Sequence, residues 1–203
     1  MRNLKQALNH LQVSDPVMAE LVARFGKLNY RPPADRFANL VSTIIGQQLS
    51  NKAADTIYNR FLKLFPKGKF TPQAILDLDS QIIRSCGTSW AKIASLKDLS
   101  QKILDRTVRL DRLDKLSDEE VIDHLVQVKG IGRWTAEMKL MFTLHRPDIL
   151  PTDDVGIQNA FVKHYGVNRS HKTLPRRMAK IAEKWRPYRT LACWYLWASL
   201  DNK

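Results

Sequence analysis

Two groups of residues in this sequence have types and spacing that could do chemistry. The first is Lys129-Gly130-Ile131-Gly132-Arg133, set between apolar stretches of helical character. Glycine takes positive φ without strain and leaves its amide exposed, so Gly-Ile-Gly suits a tight turn between two helices. The N–H groups that open the second helix would face an anion, and Lys129 and Arg133 add positive charge on either side. Phosphate is the expected ligand. Thr135 can add a hydroxyl, and backbone carbonyls across the turn, those of Val126, Val128 and Gly130, could hold a structural Na+ or K+. The second group is Leu150-Pro151-Thr152-Asp153-Asp154, where a new helix should begin. Asp153 stands where an N-cap belongs and Asp154 one step into the helix. Taken alone, both are first-turn acids of the kind a helix dipole favours. Beside a phosphate grip, one of them becomes a candidate catalytic carboxylate.

The elements that must position these groups read as helical nearly throughout. Residues 2–12 carry Leu4, Leu8 and Leu11 at helical spacing, and Ser14-Asp15-Pro16 opens a helix that Gly26 can stop. Arg31-Pro32-Pro33 is a break. A strongly apolar helix follows through Phe37, Leu40, Val41, Ile44 and Ile45 to Gly46-Gln47-Gln48-Leu49, and Ser50 can cap the next. Thr71-Pro72 and Asp79 start short helices over 72–78 and 80–86, and 89–107 returns to helical periodicity. Alternating apolar and charged residues over 107–116 predict an extended connector. Ser117-Asp118-Glu119-Glu120 is a capping box for the helix that leads into the glycine turn. The helix after the turn puts Trp134, Met138 and Met141 on one face and stops by Pro147. Further helices are expected from Thr152 or Asp153 to Gly166, over about 174–185, and from Pro187 onward. No stretch reads as a strand, so the fold class is all-α.

The chain has 203 residues, 44% of them hydrophobic, enough core for one large domain or two small lobes. Its net charge of +13 points to a polyanionic partner, nucleic acid before membrane. From residue 160 onward ten Lys/Arg meet two acids, although a basic run by itself is as readily a solvated surface. Two cysteines, Cys86 and Cys193, exclude a disulfide framework and a four-cysteine metal or iron–sulfur set. The five histidines show no metal-ligand spacing. The N-terminus lacks the apolar core of a signal peptide, and no run reaches the roughly 18 apolar residues of a membrane span. A soluble intracellular protein is expected.

Four segments, in this order, resemble the helix–hairpin–helix superfamily of base-excision DNA glycosylases: Ile44-Ile45-Gly46-Gln47-Gln48-Leu49-Ser50, Lys129-Gly130-Ile131-Gly132-Arg133-Trp134-Thr135-Ala136, Leu150-Pro151-Thr152-Asp153-Asp154 and Trp185-Arg186-Pro187-Tyr188-Arg189. Within the superfamily the sequence is similar to the alkylated-base branch, the 3-methyladenine DNA glycosylase II type, over roughly residues 34 to 200. The absence of a cysteine cluster sets it apart from the endonuclease III and adenine-mismatch branches.

The resemblance implies two helical lobes with a substrate cleft between them. One lobe would be 34–146, holding the helix–hairpin–helix at about 122–145. The other would join 1–33 to 147–203. It implies Asp154 as the catalytic acid and Asp153 as the helix cap. Trp134 and Trp197 would line the base pocket with Met138, and Gln48 would sit at the wedge position. Lys129, Gly130, Gly132, Arg133 and Thr135 would hold the DNA backbone. Trp134 stands where strand-cutting relatives carry a lysine that forms a Schiff base, so a monofunctional enzyme without lyase activity is implied. Met138 and Val155 stand where some relatives carry tyrosines. The partner would be double-stranded DNA containing alkylated bases, with no membrane, no catalytic metal and no organic cofactor. A monomer is expected, cytoplasmic and nucleoid-associated if bacterial, nuclear if eukaryotic. The alternative is a non-catalytic helix–hairpin–helix module that binds or senses damaged DNA. Trp185 and Trp194 read as core residues.

Overall fold

The structure, a computed structural model, describes residues 4–28, 30–169 and 172–201. Residues 2 and 3 of the expected first helix lie outside the described residues. The described residues contain helices and no strand, in agreement with the all-α expectation. In chain order the α-helices are α1 (Leu4–Ser14), α2 (Pro16–Phe25), α3 (Arg36–Gly46), α4 (Asn51–Leu62), α5 (Pro72–Asp77), α6 (Ser80–Ser85), α7 (Trp90–Leu104), α8 (Asp118–Leu125), α9 (Arg133–Phe142), α10 (Val155–Tyr165), α11 (Leu174–Ala182) and α12 (Arg189–Asp201). Side-chain caps fix most of the starts. Asp15, Asp35, Ser50, Thr71, Asp79 and Ser89 each accept a backbone N–H of the first turn they precede, and Ser117 with Glu120 forms the reciprocal box. The expected extended connector over 107–116 is instead a series of turns with a short 3-10 segment at Leu113–Lys115. Val108 and Leu113 are buried there, so apolar anchors spaced along a turn imitate strand alternation.

The chain divides into two compact units. Pro33–Ala136 forms one, and the segments before and after it form the other. The division therefore falls inside α9. Residues 137–146, which the sequence reading set with the hairpin lobe, group with the terminal segments. Their apolar side chains account for this: Phe142 contacts Tyr30, Trp194 and Trp197 at ring-centroid distances of 5.3, 5.9 and 5.6 Å. In the central unit α3 packs on α4 and α7, and α5 and α6 pack on α7. Its core includes Leu40, Val41, Ile44, Ile45, Phe61, Leu96 and Leu99. In the other unit α12 packs on α2 and α10, and α1 packs on α2. Trp185 and Trp194 are 0% and 3% exposed, core residues as expected. No helix among the described residues is long and apolar enough to cross a membrane.

One buried carboxylate organises the terminal unit. Asp15 is 0% exposed and caps α2 through Val17 N–H at 2.9 Å. Its other oxygen accepts from the Trp185 indole at 2.7 Å and the Tyr165 hydroxyl at 2.9 Å, and Lys184 Nζ approaches to 3.2 Å. Burial, reinforced by the Asp15 charge, pushes the Tyr165 phenol far up, so it stays a donor. Asp15→Ala would strand the buried indole and phenol donors and remove a cap. We expect it to cost on the order of 3–5 kcal/mol in chemical denaturation, whereas a loss under about 1 kcal/mol would show the hub to be dispensable.

Candidate functional site

In the central unit, the hairpin is built by α8, the turn over 126–132 and the first turn of α9. Val128 and Ile131 are buried and anchor the turn, while Lys129, Gly130, Gly132, Arg133 and Trp134 are exposed. Gly130 has φ +80°, and a Cβ there would stand 2.5 Å from Ser95 Oγ, so this glycine is required twice over. Gly132 differs. A Cβ on it would meet nothing within 4 Å, so the fold itself does not demand glycine, and its bare backbone faces open space.

A pair on α7 holds the loop. Asp98 Oδ2 accepts the Lys129 backbone N–H at 2.7 Å, and Lys102 Nζ binds Asp98 at 2.8 Å and Gln127 O at 2.7 Å. Partial burial acts to raise the Asp98 pKa, but the Lys102 and Lys129 hydrogen bonds outweigh it and hold the carboxyl below its ordinary range. The Lys129 amide is thus engaged within the protein, leaving its side chain as the part that faces solvent. Arg133 pairs with Glu119 at 2.6 Å on the surface, a contact cheap to exchange for another anion. Thr135 is 4% exposed, in contrast to its reading as a phosphate-facing hydroxyl: the third residue of α9 turns inward. Two of the three carbonyls considered for a cation each accept one hydrogen bond. Val128 O accepts Ile131 N–H at 3.0 Å, and Gly130 O accepts Gln47 Nε2 at 2.8 Å.

Gln47 and Gln48 follow α3 in a turn closed by Leu49 N–H on Gly46 O at 3.2 Å. Gln47 has φ −51° and ψ 132°, and Gln48 has φ +57°, the pattern of a type II turn with glutamine where glycine is favoured. A left-handed non-glycine residue is uncommon, and such outliers concentrate at functional positions. Gln48 is exposed. Gln48, Leu49, Gly130, Trp134 and Thr135 contribute to the lining of one cavity of 610 Å³, and Trp134 is 44% exposed.

In the terminal unit, the cap of α10 lies one residue later than the sequence reading had it. Asp154, not Asp153, is the N-cap of α10. Asp153 is exposed, while Asp154 is 8% exposed. Asp154 Oδ1 accepts Ile157 N–H at 2.7 Å and the Trp197 indole N–H at 2.9 Å. The α10 N-terminus adds its positive dipole end to the same oxygen. The cap therefore falls on Asp154, the residue the resemblance names as the catalytic acid. Trp197 is half-buried, with its ring tilted against Phe142, and Met138 is half-buried one turn earlier on α9. Met138 and Trp197 belong to the same unit as Asp154, while Trp134 belongs to the hairpin unit.

The segment leading to Asp154 is clamped by the start of α12. Arg189 donates to Asp148 Oδ1 at 2.7 Å, and Thr190 Oγ1 bonds Arg146 O at 2.6 Å and Ile149 N at 3.0 Å. Gly156 is the residue sequence reasoning missed. A Cβ there would lie 3.0 Å from both Asp154 Oδ1 and Trp197 Nε1. Its only signal in sequence was a glycine in the first turn of a helix, where glycine is unfavourable. Gln47, Asp98 and Lys102 were also missed, since their partners are remote in sequence.

Residues 41–187 match the HhH-GPD family, described as HhH-GPD superfamily base excision DNA repair protein, and the chain belongs to that family. It is 40% identical over 204 residues to DNA-3-methyladenine glycosylase 1 of Schizosaccharomyces pombe, covering 96% of this chain and 87% of that one. Its fold is similar to the S. pombe 3-methyladenine DNA glycosylase (Mag1) in complex with abasic DNA, with a TM-score of 0.83, 37% identity and 97% of each chain covered. It is also similar to a DNA-3-methyladenine glycosidase from Bacillus halodurans, with a TM-score of 0.85, 29% identity and 97% and 89% of the two chains covered.

Two outcomes follow. Gly156→Ala should push the Trp197 indole off Asp154, seen as at least about tenfold faster solvent exchange of its Nε1 proton; unchanged exchange would mean that the helix yields instead. Because the Asp98 pKa is depressed in the fold, its contribution is full above the unfolded value of about 4 and is lost as pH falls through the lower folded value. Protection of the Lys129 amide should disappear across that acidic window, and in Asp98→Asn it should no longer depend on pH there.

Proposed function

We propose that this chain is a monofunctional DNA glycosylase of the 3-methyladenine II type, acting on alkylated purines in double-stranded DNA and leaving an abasic site. The observation that carries this reading is Asp154, a buried carboxylate held at one oxygen by a helix amide and the Trp197 indole. The S. pombe relatives, named as 3-methyladenine glycosylases, support the substrate class.

The hairpin supplies the hold on DNA. Its exposed backbone around Gly132 can approach a phosphate closely, and Arg133 can exchange Glu119 for that phosphate. Lys129 and the net charge of +13 add attraction that salt weakens. Gln48, projecting from its strained turn, would fill the stack when the damaged nucleotide leaves it, a move that costs a few kcal/mol. A methylated purine carries positive charge, and an exposed Trp134 or Trp197 face attracts it by about 2 kcal/mol once desolvated. The base then departs neutral. Asp154 stabilises the positive charge that develops on the sugar and orients or deprotonates the attacking water. The helix amide and indole fix the carboxylate so that little reorganisation is needed in the transition state.

The absence of strand cleavage rests on Trp134, since an indole cannot form a Schiff base with the sugar. Lys139, drawn down to about 8 by burial, is 7% exposed and enclosed in packing. Release of labelled bases from methylated duplex, resolved by chromatography, tests the reading. Asp154→Asn should lower release about 10²-fold or more while DNA binding persists. Strand breaks should appear only after alkali, and borohydride should trap no adduct. A trapped adduct would make the enzyme bifunctional. Undiminished activity in Asp154→Asn would leave a DNA-binding module in which this carboxylate is only a cap.

A further inference from the structure

Two local devices in the central unit would have to act in register if the chain works as proposed: the turn that carries Gln48 and the hairpin that carries Gly132. They are far apart in sequence, and the structure joins them by one side chain. Gln47, the neighbour of Gln48, donates its amide from Nε2 to Gly130 O at 2.8 Å. The acceptor is the carbonyl of the glycine whose φ of +80° sets the hairpin's bend. The donor belongs to the residue whose own φ and ψ set up the left-handed Gln48. That hydrogen bond therefore links the two pivots directly.

Both pivots are also held from α7, but through separate side chains. Lys92 Nζ donates to Ile45 O at 2.8 Å and caps the end of α3. The hairpin loop is held by Asp98 and Lys102 of α7. Neither set touches the other pivot directly, whereas Gln47, Gln48, Gly130 and Trp134 all line the same cavity.

We propose that Gln47 is a positioning residue that couples the Gln48 turn to the hairpin, so that gripping the backbone and filling the opened stack happen in one fixed geometry. This rests on the glycosylase reading for its consequence in catalysis, but the coupling itself is a property of the free protein. Gln47 touches no reacting atom. Its side chain accounts for why two consecutive glutamines occur at this corner: one projects outward and the other ties that projection to the phosphate grip.

Gln47→Leu keeps the size of the side chain and removes the donor, and Gln47→Glu puts a carboxylate against Gly130 O. In the protein without DNA, amide hydrogen exchange should accelerate together at Gln48–Leu49 and at Gly130–Ile131 in Gln47→Leu, by about three- to tenfold. Exchange in both segments equal to wild type would overturn the coupling, whatever the activity. In single-turnover assays, both variants should excise an alkylated purine from a fully paired duplex about tenfold more slowly. The defect should shrink to about twofold or less when the lesion lies opposite an abasic site, where there is less stacking and pairing to break. A defect of equal size in both contexts would make Gln47 a general structural residue and sink the proposal. If the wild-type protein released no base, the glycosylase reading would fail while the exchange measurement still decided the coupling.

Discussion

The candidate site of the terminal unit depends on keeping one carboxylate buried yet stabilised as an acceptor. Asp154 is 8% exposed, and an isolated charge there would be costly. Two donors and a helix N-terminus converge on its Oδ1, which offsets the lost solvation and fixes the plane of the group. The Trp197 indole can approach only because residue 156 has no Cβ. A glycine in the first turn of α10 weakens that helix by about 1 kcal/mol relative to alanine. The loss is tolerated because it admits an aromatic ring that is both a hydrogen-bond donor to Asp154 and a flat surface beside it.

That arrangement needs a rigid frame, and the frame is made of ion pairs and caps rather than apolar packing alone. Arg189 and Thr190 at the start of α12 bind the segment 146–149 that delivers Pro151 to Asp154. The same α12 carries Trp197, so the carboxylate and its indole partner are referred to one helix. Asp15 does the equivalent for α2 and the Trp185 segment that precedes α12. Buried polar groups of this kind specify one geometry because leaving any partner unmet is expensive.

Local features were legible in the sequence because the residues that make them are adjacent. The Ser117–Glu120 capping box, the Asp15 and Asp79 caps, the Gly-Ile-Gly turn and the core placement of Trp185 and Trp194 all follow from spacing and residue type. The errors have equally local causes. Helix starts are uncertain by a residue, and Asp153-Asp154 offers two equally good caps, so the cap was assigned one position early. Val108 and Leu113 imitated strand alternation within a series of turns. Gln47, Asp98 and Gly156 were invisible for a different reason. Their importance lies in partners that only the folded chain brings near, and each is unremarkable beside its sequence neighbours.

The two candidate sites use opposite strategies toward charge, and this explains their different tolerance for glycine. At the hairpin the backbone would be the ligand if the chain works as proposed. Gly130 is forced by φ +80° and by Ser95, while Gly132 is left bare toward open space where the partner's phosphate would come. At α10 a side chain is the ligand, and Gly156 is bare so that another protein group, the Trp197 ring, can reach it. A glycine facing solvent with no steric reason of its own marks a surface shaped for something outside the chain. A glycine wedged between two functional side chains marks a site that the chain completes by itself. By that distinction the hairpin is a positioning surface that is finished only by its ligand. The carboxylate with its indole is already assembled in the free protein, the preorganisation that the role proposed for Asp154 would require.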